Sequence, residues 1–197
     1  MTNAYIPAPA AGAGVAVLDG QAVHDSLPLG TLLRYFDGTP QPPARFTRKM
    51  RAWKNRNSTG RLIEKSPPSA IGSSRYPASF VLHEGTYTSD GTPIIVMRCH
   101  YFVTTDLNFE ILELPQPGMV RVLTRWNGKD ELQHLAANMA AAEAWAEHNR
   151  YSNLVLEPVK DGEARKRRIG QVKWSPRRPP PSPGAGEARC RGRWKTA

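Results

Sequence analysis

Residues 90–104 read Asp-Gly-Thr-Pro-Ile-Ile-Val-Met-Arg-Cys-His-Tyr-Phe-Val-Thr, and this stretch decides the fold class. A turn dipeptide opens it, and β-branched and aromatic residues fill it, which is the composition of a strand. Successive strand residues point to opposite faces. Ile95, Met97, Cys99, Tyr101 and Val103 therefore form one apolar face, expected to be core, while Ile94, Val96, Arg98, His100 and Phe102 form a mixed one.

Working outward, further strands are predicted at 79–84, 107–114 and 119–124, joined by short turns such as Pro115-Gln116-Pro117-Gly118. Upstream, 29–36 and 61–65 read as strands, and 153–156 as a last one. Two helices are predicted. In 45–56, Phe46, Met50 and Trp53 recur at i, i+4 and i+7, a stripe expected to hold the helix to the sheet. In 129–148, Leu132, Leu135, Met139, Ala142 and Ala146 keep one side apolar, with Trp145 at its border and Asn127 or Asp130 as cap. The expected class is α+β: an antiparallel meander sheet with two helices on one face, because the helices do not alternate regularly with the strands.

The expected domain spans 25–159. Residues 1–24 read as a flexible Ala/Pro/Gly-rich arm and 160–197 as a disordered, basic Pro/Arg-rich tail. No apolar run is long enough for a membrane span, and no Lys or Arg precedes Arg34, so no secretory leader is expected. Cys99 and Cys190 allow neither a disulfide framework nor a zinc site, so a reducing cytoplasmic setting and no cofactor are expected.

Charge is segregated. Residues 160–197 carry 12 of the 27 Lys and Arg against three acids, within a formal net charge of +10. The rest of the chain is nearly balanced, yet 45–65 holds eight basic residues against the single acid Glu64. Clustered cations attract a polyanion over a Debye length where scattered ones do not. Arg45, Arg48, Lys49, Arg51, Lys54 and Arg56 on the helix, with Arg165, Lys166, Arg167 and Arg168 in the tail, are therefore the candidate contacts to DNA or RNA, largely independent of base sequence. The tail composition around 179–194 also fits out-of-frame translation of GC-rich coding sequence, so the helix is the better candidate of the two.

The leading reading is thus a small bacterial, non-enzymatic nucleic-acid-binding accessory protein. A protein-interaction module whose basic residues serve solubility is the alternative. An enzyme comes third, and would need Arg98, His100, His83 and Glu84 to converge. Tyr35-Phe36-Asp37-Gly38-Thr39 resembles the nucleophile loop of haloacid-dehalogenase phosphatases, but Tyr35 stands where the nucleophilic Asp belongs, which removes that mechanism. Glu131 and His134 supply one Glu-x-x-His pair where a di-iron bundle needs two. Cys99 and His100, adjacent on a strand, point apart and cannot act as nucleophile and base.

Overall fold

The computed structural model describes residues 17–89, 92–149 and 151–160. In chain order the elements are α1 (Gly20–Ser26), β1 (Leu32–Phe36), α2 (Thr47–Lys54), β2 (Ser58–Ser66), β3 (Ser69–Ile71), β4 (Ser74–Tyr76), β5 (Ser79–Ser89), β6 (Thr92–Phe102), β7 (Asn108–Glu113), β8 (Val120–Trp126), β9 (Lys129–Ala136), α3 (Met139–His148) and β10 (Leu154–Pro158). The class is α+β, dominated by one eight-stranded antiparallel sheet, with β3 and β4 as a separate small hairpin.

The sheet is not a simple meander. It runs β10-β8-β9-β2-β1-β7, and β5 also pairs with β2 and carries β6 on its outer side. Hence β2 is the branch point: Leu32–Tyr35 register against it near its start, Arg61 to Ser66 register against β5, and Glu64 meets Glu131 of β9. Gly60 makes this crowding possible, because a Cβ there would lie 2.8 Å from Leu82 Cβ.

Strand periodicity explains the main core. Leu33 and Tyr35 of β1 alternate with less buried neighbours and pack with Leu62, Phe80, Leu82, Leu107 and Phe109. The Phe80 and Phe109 rings meet edge-on at 5.4 Å, the arrangement their quadrupoles favour. Val23 and Leu27 of α1 complete this cluster, each side chain contributing about 1.5–3 kcal/mol by leaving water. Residues 18–24, expected in the N-terminal arm, are therefore part of the fold. Asp19 caps α1 by accepting from Ala22 N at 2.8 Å, and Leu18 bridges to Phe109. Residues 1–16 and 161–197 lie outside the described residues.

The second correction concerns 129–148. Residues 129–136 form β9, because Asn127 (φ 50°) and Gly128 (φ 76°) make a two-residue turn between the paired Trp126 and Lys129. Positive φ at both central positions gives the twist a tight hairpin needs, and Asn-Gly supplies it. The helix begins only at Met139, where Asn138 accepts from Ala141 N at 2.9 Å. Ala142 and Trp145 then seal a second cluster on Val120, Val122, Ala136, Leu154 and Leu156. Ile63, Leu123 and Leu132 form a third.

The expected pairing of the 45–56 and 129–148 helices on one face is not borne out by shared packing. The apolar residues of α1 and α3 join different clusters, and α2 supplies no residue to any. Nor is the whole odd face of β6 core. Tyr101 packs on the main cluster, but Ile95 and Met97 are exposed, as are Tyr87, Ile94 and Val96, since the distal half of the β5–β6 hairpin runs past β2.

Candidate functional site

The basic helix exists, but its attachment differs from the stripe reading. Phe46 is exposed, Met50 and Trp53 are only half-buried, and α2 has no fully buried residue. The ring of Phe46 is covered by cations, with the Arg45 guanidinium 4.8 Å and the Lys49 ammonium 5.2 Å from its centroid. Polar tethers hold the helix. Trp53 Nε1 donates to Thr39 O at 2.9 Å, and Asn57 Nδ2 donates to Trp53 O and to Asp37 Oδ1.

Asp37 is the hub of these tethers. Its carboxylate accepts from Thr39 N at 3.0 Å, Thr39 Oγ1 at 2.7 Å, Asn57 Nδ2 at 3.0 Å and Arg56 Nε at 3.1 Å. These bonds, from Thr39 first, hold it well below the usual carboxylate range. The Asp-Gly-Thr turn at 37 is thus an anchor: every bond its carboxylate makes here organises the approach to α2.

Arg56 belongs to this anchor and not to the outer face. Beyond Asp37 it donates from Nη2 to Asp106 Oδ2 at 2.7 Å, so its charge is spent within the fold. The same holds for most arginines elsewhere. Arg34 meets Glu110, Arg61 meets Glu113, Arg98 meets Glu131, Arg121 meets Glu157 and Arg125 meets Asp130. Arg45, Arg48, Lys49, Arg51 and Lys54 form no ion pair among the described residues, and all five are exposed. Like charges one turn apart disfavour a helix by a few tenths of a kcal/mol, so α2 carries this concentration at a local cost. Arg165, Lys166, Arg167 and Arg168 lie outside the described residues.

A second feature sits on the sheet. Arg61, His83 and Arg98 stand directly across from one another on β2, β5 and β6, facing away from the row Leu62–Leu82–Cys99. Near Glu64 and Glu131, β2 and β9 form their single registered pair. A cleft of about 430 Å³ opens there, lined by those three residues with Ile63, Val96, Glu113, Leu132, Gln133, His134 and Tyr151 among others. Arg61 donates to Gly30 O at 2.6 Å and to Glu113 at 3.2 Å, and Arg98 Nη1 lies 2.6 Å from Glu131 Oε1. Burial lowers the pKa of both His83 and His134, and Arg98 and Arg61 lower His83 further, so both rings favour the neutral form. The His134 ring stacks on Trp145 at 5.2 Å, and Trp145 on Tyr151 at 5.6 Å.

Of the four residues an enzyme reading required, the cleft gathers two, His83 and Arg98. His100 instead contacts Ser79 Oγ at 3.0 Å. Glu84 turns to the other face, where Tyr35 Oη donates to it beside Cys99 and Tyr101. Burial pushes the Cys99 thiol up to about 11, the opposite of an activated nucleophile. Sequence reading missed Arg61, Gln133, His134 and Tyr151 as cleft residues. Glu131 and His134, read as a helical pair, lie instead on β9, where Gln133 is an extra residue against β8 and the two register with Thr124 and Val122. No helix of the described residues is long and apolar enough to cross a membrane.

No curated protein and no solved structure matches the chain. Residues 18–163 match the family model described as uncharacterised conserved protein UCP036055, a span that takes in every element from α1 to β10 and stops short of Arg165–Arg168. That match covers well over half of the 197 residues, and the chain therefore belongs to the uncharacterised conserved protein family UCP036055.

Proposed function

We propose that this protein binds nucleic acid, DNA or RNA, through the outer face of α2, by phosphate contacts with little dependence on base sequence. One observation carries this reading: five exposed cations on an eight-residue helix and its lead-in have no carboxylate partner among the described residues, while Arg34, Arg61, Arg98, Arg121 and Arg125 on the sheet are each paired with one. Cations left unneutralised on a rigidly tethered helix release condensed counterions when they meet phosphates, which supplies affinity and speeds encounter. The Asp37 anchor fixes the pose, and the segment containing Arg165–Arg168 adds reach and non-specific affinity. No base-reading set of Asn or Gln beside Arg stands on α2, so phosphate positioning dominates.

The test is fluorescence anisotropy of labelled single- and double-stranded 20-mers across a salt series. A log-linear fall of affinity with salt, similar for unrelated sequences, supports the reading. Affinity independent of salt sinks it.

A second reading rests on β6. Its outer edge pairs with no strand among the described residues, and Tyr87, Ile94, Ile95, Val96 and Met97 beside it are exposed. Long apolar edges are sites of strand addition. The occupant this surface fits is a second copy pairing β6 to β6 antiparallel. Between Tyr87 and Met97 the chain carries only Asp90 as a charge, so here two chains of net charge +10 can approach. Sedimentation showing a dimer that Ile95→Lys dissociates supports it, and a monomer at all concentrations refutes it.

A further inference from the structure

We propose that the cleft between β2 and β9 is a binding site for a small organic monoanion, a carboxylate carried on an aromatic or apolar body. This site is separate from α2 and does not rest on the nucleic-acid reading.

The position follows from the sheet. β2 and β9 meet at Glu64 and Glu131 and share no other registered pair, and the cleft lies between Ile63 of β2 and Leu132–Leu135 of β9. Apart from Met119 and Tyr151 its walls stand on strands, which hold side chains more rigidly than loops do. At about 430 Å³ its volume is within the range of small-molecule sites.

The lining selects the chemistry. Ile63, Val96, Leu132 and Leu135 offer an apolar floor, and Tyr151 an exposed ring backed by the Trp145–His134 stack. The polar groups of the same lining include Arg61, His83 and Arg98, which form one cross-strand row. Arg98 is the accessible donor. Its side chain lines the cleft and is 45% exposed, and its one ion pair is Nη1 with Glu131, so the guanidinium keeps further N–H groups for a ligand. A planar carboxylate matches that fork.

The charge balance narrows the class. Two guanidiniums are matched by Glu113 and Glu131, and the two histidines favour the neutral form, so the empty cleft carries almost no net charge. A polyphosphate would meet both carboxylates without surplus cations to offset them. A monoanion needs only the remaining donors of Arg98, and its apolar body gains from the floor. This combination separates the cleft from α2, where surplus positive charge and little apolar surface favour phosphates.

The test is titration calorimetry of the full chain with phenylacetate, with AMP and inorganic phosphate as comparison ligands, at about 0.3 M salt to screen the exposed cations of α2. Phenylacetate is expected to bind saturably in the millimolar range or tighter, and more tightly than AMP or phosphate. Arg98→Met should weaken it roughly tenfold or more, the loss of a charge-assisted hydrogen bond. Glu131→Gln should strengthen it by freeing Arg98, a change of opposite sign that misfolding does not produce. Tyr151→Ala, at an exposed position, should weaken it with the melting temperature unchanged. Absence of saturable phenylacetate binding, affinity indifferent to Arg98→Met and Glu131→Gln, or AMP binding more tightly than phenylacetate each overturns the proposal.

Discussion

Arg56 Nη2 donates to Asp106 Oδ2 at 2.7 Å, which pins the end of α2 to the segment between β6 and β7. With its Nε on Asp37, this arginine joins the helix to the sheet from two sides. Its removal is a test of tethering, separate from charge. The Arg56–Asp106 pair is solvent-exposed, so Arg56→Ala is expected to leave global stability nearly unchanged. Amide exchange should nonetheless rise selectively in α2, because the tether holds only that element. Urea melts paired with hydrogen exchange check both.

The two halves of the β5–β6 hairpin should respond oppositely to truncation. Phe80 is fully buried against Phe109 and Tyr101, and Phe80→Ala is expected to cost about 3–5 kcal/mol. Met97→Ala, on the exposed distal part, should change stability by less than about 0.5 kcal/mol. Chemical denaturation of the two variants decides it.

Arg121 is buried with 3% exposure, donating from Nε to Leu29 O at 2.9 Å and from Nη1 to Glu157 Oε1 at 3.0 Å. It ties β8 to the start of β1 and to β10 at once. Arg121→Ala leaves the Leu29 carbonyl without this donor, and a loss of about 2–4 kcal/mol is expected from the same denaturation assay.

Acidification should weaken the fold in two stages. The pKa values of His83 and His134 are lowered by burial, so the folded chain resists protons that the unfolded chain accepts near the ordinary histidine value of 6.5. Their contribution is full above that value and is lost as pH falls through the lower folded values. Asp37, held low chiefly by Thr39, and Asp130, held low by Arg125, add a second loss below the ordinary aspartate value of 3.8. Melting temperature against pH should show both descents. His134→Phe keeps a ring on Trp145 but cannot titrate, and it should flatten the first.

The class of the fold was legible because period-two alternation survives in single strands such as 29–36 and 79–84. Pairing order was not, since nothing in β2 announces that β1, β5 and β9 all meet it. Residues 129–136 misled because Leu132, Leu135 and Met139 also fit a helical stripe, and that stripe outweighed the Asn127-Gly128 turn. The apolar stripe of α2 was visible, but Phe46 found its cover in Arg45 and Lys49 instead of a core. Likewise Ile95 and Met97 have the right period for burial and no partner layer over them. For the candidate interface, five of the six helical cations stay exposed and without a carboxylate partner, and only the fold could show that Arg56 serves Asp37 and Asp106.

The central claim is that the unpaired cations of α2, and not positive charge in general, contact phosphates. The most direct measurement compares the salt dependence of duplex binding for the full chain, for Arg48→Ala/Arg51→Ala/Lys54→Ala, and for Arg125→Ala, whose arginine is already bound to Asp130. Each phosphate contact contributes about 0.9 to the slope of log affinity against log salt. The triple variant should therefore lower the slope by about 2–3 with stability unchanged, while Arg125→Ala leaves it as it is. An unaltered slope in the triple variant, or an equal fall in Arg125→Ala, would contradict the account.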